Sequence, residues 1–136
     1  MIQIEVYTPE KQGEDFYSIM GYFFAHRKYA KEMGGWQFYN QDNATWFLGY
    51  AKGELIGFCC YFNENTHVFL DNFYILEPYR GNGYSSELFR YRLNNAKVIG
   101  KEVRAITDNE RQMKNYEKNG FISNGHRGRY KKYVLK

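Results

Sequence analysis

The first apolar positions, Ile2, Ile4 and Val6, alternate with polar ones. That is the period of two produced by a strand with one buried face, and Thr8-Pro9 ends it. The period then changes. From 15 to 33, Phe16, Ile19, Met20, Phe23, Phe24, Ala30 and Met33 recur at helical spacing, which predicts one helix stopped by Gly34-Gly35. Positions 36–43 are aromatic and polar without a period and read as a loop or short helix. Strands are predicted at 45–51 and 54–63 about a Lys52-Gly53 hairpin turn. A further strand at 68–75 is antiparallel to its predecessor if Asn63-Glu64-Asn65-Thr66 is the turn. A helix over 85–99 turns Leu88, Phe89, Leu93 and Ala96 inward and is closed by Gly100. A strand at 102–107 and a helix at 110–119, capped by Asn109 and ended by Gly120, precede a final antiparallel pair at 121–123 and 129–135. The order is β, α, three β, α, β, α, two β, an α/β arrangement with helices on both faces of a mixed sheet.

A chain of 136 residues suits one domain, 1–136, and 43% hydrophobic content fills its core. Composition changes this picture in one respect: 14 Tyr and 11 Phe give apolar surface that often ends in a hydroxyl, so clefts should be amphipathic. The net charge of +4 is too mild to mark a nucleic-acid binder. Basic residues do gather in His126-Arg127-Gly128-Arg129-Tyr130-Lys131-Lys132, which reads either as a solvated edge strand guarded by charge or as a contact for RNA or DNA. Cys59 and Cys60 are adjacent, point to opposite faces of a strand and cannot form an ordinary bridge. A reduced, cytoplasmic setting is therefore expected, with no signal peptide and no apolar run near the ~20 residues of a membrane helix. His26, His67 and His126 lie far apart without cysteine partners, so no metal site is expected.

The candidate chemistry lies between the strand at 68–75 and the helix at 85–99. Ile75-Leu76-Glu77-Pro78-Tyr79-Arg80-Gly81-Asn82-Gly83-Tyr84-Ser85-Ser86 joins them through a loop with two glycines, which let the backbone approach a ligand while the helix N-terminus attracts an anion. A phosphorylated ligand is the natural reading, although many such turns bind nothing. A Walker loop is excluded because no Gly-Lys-Ser/Thr occurs. A dinucleotide fingerprint is excluded because Ser86 stands in place of its third Gly and the nearest acidic candidate, Glu102, starts its strand. Arg80-x-x-Gly83-x-Ser85 resembles the Arg/Gln-x-x-Gly-x-Gly/Ala pyrophosphate loop of the GNAT superfamily, the acetyl-coenzyme A dependent N-acetyltransferases. Ser85 departs from that pattern, and its hydroxyl would donate to a phosphate oxygen or cap the helix. Downstream, Asn109, Tyr116, Glu117, Lys118, Gly120 and Phe121 are similar to the family's second signature, whereas Gln112, Asn115 and Asn119 depart from it.

The resemblance implies a mixed, mostly antiparallel GNAT-like sheet of six to seven strands and an acyltransferase using acetyl-CoA, with coenzyme A as product. Phe73, Tyr74 and Ile75 would hold the pantetheine arm through their backbone. Arg80, Gly81, Asn82, Gly83, Tyr84, Ser85 and Ser86 would cradle the diphosphate, and Asn109 would bind the arm or fix its loop. Tyr116 matches the family's general acid; read from its type alone, it is equally a tyrosine packing a helix on the sheet. For the general base Asp71 is the first choice, since it shares the strand parity of Ile75, with His67 and Glu64 in reserve. Asp71 also reads as a solvent-facing strand residue. The acceptor would be an amine-bearing small molecule, a lysine side chain or a protein N-terminus, in a pocket formed by the first helix, the loop after it, the last hairpin and Trp36, Phe38, Tyr39 and Tyr130. Two other readings stand beside this one: a weak or inactive module that docks on a protein, and an RNA- or tRNA-directed enzyme. No membrane partner is expected, and self-association as a homodimer is left open.

Overall fold

Two neighbouring strands inside the sheet are buried on both faces, and the rest of the fold is arranged to cover them. The computed structural model describes all residues, 1–136. Its strands are β1 (Gln3–Tyr7), β2 (Ala44–Ala51), β3 (Glu54–Asn63), β4 (His67–Ile75), β5 (Glu102–Thr107), β6 (Ile122–Arg127) and β7 (Tyr130–Leu135). They form one seven-stranded sheet in the order β1-β2-β3-β4-β5-β7-β6, antiparallel except for β4 beside β5. Its helices are α1 (Glu14–Ala25), α2 (Arg27–Glu32), α3 (Tyr84–Lys97) and α4 (Glu110–Lys118). None is long and apolar enough to cross a membrane.

Alternation along β2 and β3 divides the interior into two layers. Trp46, Leu48, Phe58, Cys60 and Phe62 face Phe16, Met20 and Phe23 of α1 and Tyr29 of α2. Phe47, Ile56, Cys59 and Tyr61 face Leu88, Phe89 and Leu93 of α3 and Tyr116 of α4. Cys59 and Cys60 thus enter opposite layers, free and buried, as their adjacency required. The first layer is largely aromatic, with Phe58 in ring contact with Phe23, Phe38, Trp46 and Tyr74.

The element order follows the sequence pattern, and three details differ. The helix expected over 15–33 is two helices, because His26 leaves helical geometry at φ −85°, ψ 120° and its ring accepts from the Lys28 N–H at the start of α2. The last hairpin is longer than its apolar residues implied: all six residues of β6 are exposed, so this edge strand carries little apolar signal, and its charges keep it from pairing further. Within β4, Asn72 takes a left-handed φ of 54°. The pairing slips there: Cys60 faces Asp71 and Phe58 faces Tyr74, so one residue of β3 stands opposite two of β4, a β-bulge.

Opposite the bulge the two strands approach closely. A Cβ on Gly57 would lie 2.5 Å from the Tyr74 carbonyl oxygen, so only glycine fits there without moving the backbone. On the other side of β4, pairing with β5 ends at Leu70 and Ala105, although β4 runs on to Ile75 and β5 to Thr107. The strands separate from that point.

Candidate active site at the strand split

The gap between β4 and β5 opens into a cleft of about 1200 Å³. Asp71 to Ile75 line one wall, Ile106 to Asn109 and the inner side of α4 line the other, and the glycine loop with the start of α3 closes one end. At Gly81 (φ 84°) and Gly83 (φ 80°) an added Cβ would meet no protein atom within 4 Å. Gly83 is the N-cap of α3, and no side chain caps that terminus. Ser85 does not cap it, since it lies inside the first turn. No main-chain carbonyl accepts from the N–H groups of 81–86, so the loop presents a run of free donors and the positive end of a helix dipole.

Arg80 behaves differently from its neighbours. Its main-chain N–H donates to the Glu77 carbonyl at 3.2 Å. Its side chain turns away from the loop, with Nε donating to the Ile75 carbonyl at 2.8 Å, Nη2 pairing with Glu32 at 3.2 Å and the guanidinium 5.3 Å from the Tyr74 ring centroid. Arg80 therefore clamps the end of β4 to α2. Asn82 donates to the Tyr79 carbonyl at 3.1 Å and shapes the turn. Asn109 accepts from the Gln112 N–H at 3.1 Å as the N-cap of α4, which fixes its loop.

Tyr116 lines the cleft from α4, its ring against Phe89, Phe121 and Tyr133. Burial raises its pKa, while the Arg92 guanidinium beside it pulls the other way. Asp71 also lines the cleft, and its carboxylate accepts from the Tyr39 hydroxyl and from the Asn72 N–H, each at 2.8 Å. Burial raises this carboxyl above the usual carboxylate range.

The parity argument that singled out Asp71 does not survive the bulge. Asp71 pairs with Cys60 and lies on the face of α1 and α2, whereas Ile75 pairs with Gly57 and belongs to the layer of α3. The extra residue between them reverses the alternation, so Asp71 faces away from the cofactor-side wall expected from Ile75. Its two reserves are elsewhere: neither His67 nor Glu64 lines the cleft. Of the residues expected around an acceptor, Phe38 is buried against Tyr29, Phe58 and Tyr74 and is not among the residues lining the cleft. Trp36 is exposed, stacks edge-on against Tyr130 and donates to its hydroxyl. Arg129, between Asp108 at 3.1 Å and the Gly34 carbonyl at 3.3 Å, fastens the β6–β7 hairpin to the loop after α2.

This architecture and its cleft have known counterparts. A model of the acetyltransferase (GNAT) family matches residues 6–121. The chain belongs to the GNAT family. Acetyl transfer is the activity that membership carries, and the chain is accordingly an acyltransferase. Escherichia coli ElaA superposes with a TM-score of 0.79 over 100% of both chains at 15% identity. A GNAT family acetyltransferase from Elizabethkingia anophelis with acetyl-CoA bound gives 0.68 at 13% identity, over 99% of this chain and 97% of that one. Mutant forms of the spermidine/spermine N-acetyltransferase SpeG from Vibrio cholerae give 0.65 at 13% identity, over 99% and 94%. No curated protein sequence matches the chain.

Within this GNAT fold three features of the cleft escaped the sequence reading. Arg111, Lys114 and Lys118 line it from α4, a basic row whose spacing of three and four positions was available as a signal. Glu32 and Asp108 join Asp71 in bringing carboxylates to the cleft from three separate parts of the chain, a convergence no local pattern reveals. Arg92 is wholly buried and also lines it. Lying four positions after Leu88 and three after Phe89, it interrupts the inward stripe of α3, and a charge on an apolar stripe was the clue.

Proposed function

We propose that this GNAT chain moves an acetyl group from acetyl-CoA to a primary amine by direct attack. The observation that carries the reading is the stretch of β4 from Asp71 to Ile75, left unpaired by β5, with Tyr116 across the cleft and an uncapped helix N-terminus at its end. The residues fit the cofactor chemically. Gly81, Gly83 and the start of α3 offer free N–H groups to a diphosphate, and the basic row of α4 adds attraction for a polyanion. The unpaired β4 backbone can bond the amides of an extended arm as a strand would. Acetyl-CoA, when bound, supplies an activated thioester carbonyl.

The chain's own groups would then act from two sides. A fixed β4 N–H facing the carbonyl oxygen stabilises the charge that develops there, a contribution of about 10²–10³ in rate. Asp71 accepts the amine proton, directly or through water, on the face of the sheet turned towards α1 and α2. Its raised pKa makes it a better base than an ordinary carboxylate. Tyr116 donates from its hydroxyl to the departing sulfur. Glu32 and Asp108 are held in ion pairs with Arg80 and Arg129, so the Asp71 carboxylate is the one of the three left to favour a cationic acceptor, which a small amine, a lysine side chain or a protein N-terminus each supplies.

Calorimetric titration with acetyl-CoA and with coenzyme A is expected to give micromolar binding of both. Absence of binding to either rejects the reading. For the base, Asp71→Asn is expected to lower kcat/KM by about 10²-fold and to flatten the rising limb of its pH profile. In the native enzyme that limb reports loss of the Asp71 proton at a pH above the usual carboxylate value. A limb of unchanged slope in the variant assigns the base elsewhere.

A further inference from the structure

Arg92 is a buried cation with no counter-anion. It is 0% exposed, and none of the four ion pairs of the structure includes it. One nitrogen is accounted for: Nη1 donates to the Cys60 carbonyl at 3.2 Å and to the Asp71 carbonyl at 3.1 Å, bracing the backbone at the bulge. The other two, Nε and Nη2, are buried without a partner. Burying an unpaired charge is strongly unfavourable, and orphaned donors add to the cost. A neutral amide would brace the same carbonyls at a smaller cost, so the charge calls for a use that the bulge does not supply.

Its surroundings narrow that use. The guanidinium lies 5.1 Å from the Phe73 ring centroid and 5.5 Å from that of Phe89, and the Phe89 ring is 5.1 Å from Tyr116. Arg92 and Tyr116 therefore share one corner of the cleft, at the point where β4 leaves β5. Resting on the acetyl-transfer reading above, we infer that Arg92 is a further catalytic residue whose free Nε and Nη2 hydrogens receive the coenzyme A sulfur as it departs. Attack forms the C–N bond and breaks the C–S bond, and the electron pair stays on sulfur. Arg92 holds that negative charge without giving up a proton, since a guanidinium does not deprotonate in proteins. Tyr116 then supplies the proton that completes the thiol. The division of labour suits Tyr116, whose burial makes its proton harder to release.

The titratable groups facing this corner are Tyr116 from α4, Cys59 from β3 and Tyr133 from β7, while Asp71 of β4 and Cys60 of β3 lie close by on the opposite face of the sheet. Burial pushes Cys59 up to about 12 and Cys60 well above its ordinary value, and both tyrosines are raised. Burial raises Asp71 as well, and from the far face of the sheet its charge acts on both compounds below alike. Between about pH 7 and 9 a bound thiol is therefore the one group at this corner that changes charge.

The test compares binding of coenzyme A with binding of desulfo-coenzyme A, which lacks only the thiol, across that range. If Arg92 receives the thiolate, the bound thiol titrates at least one unit below the free one. The preference for coenzyme A over the desulfo compound then grows with pH to about tenfold or more. Arg92→Gln keeps a donor for the two carbonyls and removes the charge, so it is expected to bind both compounds with a pH-independent ratio. Arg92→Lys keeps the charge and is expected to restore part of the growth. A constant ratio in the native protein overturns the inference, as does growth that persists in folded Arg92→Gln. Should that variant not fold, a constant ratio in the native protein still overturns the inference, and Arg92→Lys carries the comparison. Failure of both compounds to bind is a different result, because it removes the acetyl-transfer reading itself.

Discussion

Replacing Tyr116 by phenylalanine is expected to lower turnover by about 10²–10⁴-fold, the range for loss of a positioned general acid, while leaving stability nearly unchanged. The stability half follows from packing. The Tyr116 ring touches Phe89, Phe121 and Tyr133, and phenylalanine keeps all three contacts and the volume. The kinetic half follows from where the hydroxyl stands, in the cleft beside Arg92 and across from the unpaired part of β4. Single-turnover thiol release is the measurement to make, since it reads the chemical step apart from product release. If that rate is the same in the variant, Tyr116 is only a packing residue and the proton reaches sulfur by another path.

Gly83→Val is expected to weaken acetyl-CoA binding by more than about 100-fold. At φ 80° a residue with a Cβ is strained by about 1–2 kcal/mol, a cost the fold can carry because the new side chain meets no protein atom. The branched side chain occupies instead the space over the free N–H groups at the start of α3. Gly83→Ala shares the backbone strain with much less bulk, so calorimetry on the pair separates obstruction from distortion. Normal affinity in Gly83→Val would falsify the cradle.

Most of the frame was legible because it rests on local rules. The inward stripe of α3, the Asn109 cap of α4 and the Lys52-Gly53 turn between β2 and β3 are each set by neighbours a few positions apart, and the structure keeps them. The glycine loop was legible for the same reason: Gly81 and Gly83 both take the positive φ that glycine adopts freely. What the pattern could not give depends on contacts between distant segments. The bulge in β4 shifts a register, and its single trace is Asn72, a residue tolerant of left-handed geometry in an otherwise apolar strand. Its consequence, the turning of Asp71 to the other face, is invisible to a count of positions. Arg80 illustrates the opposite case. The motif assigned it to the cradle, but its side chain is committed to Glu32, 48 positions earlier. Gln112 and Asn115, read as departures from the family pattern, line the cleft with a carbonyl oxygen and an amide nitrogen that have no protein partner.

The division of the interior into two unlike layers also decides what light can report. The chain has two tryptophans. Trp46 is sealed in the aromatic layer under α1, its indole N–H donating to Asn40 at 2.8 Å, and Trp36 sits outside against Tyr130. Neither lines the cleft, and the layer under α3 and α4 contains no indole. Tryptophan emission therefore follows the α1 side of the sheet and the seam between the α2 loop and the last hairpin. It carries no direct signal from the side on which Tyr116 and Arg92 lie, so a quenching titration and a calorimetric one would observe different halves of the same molecule.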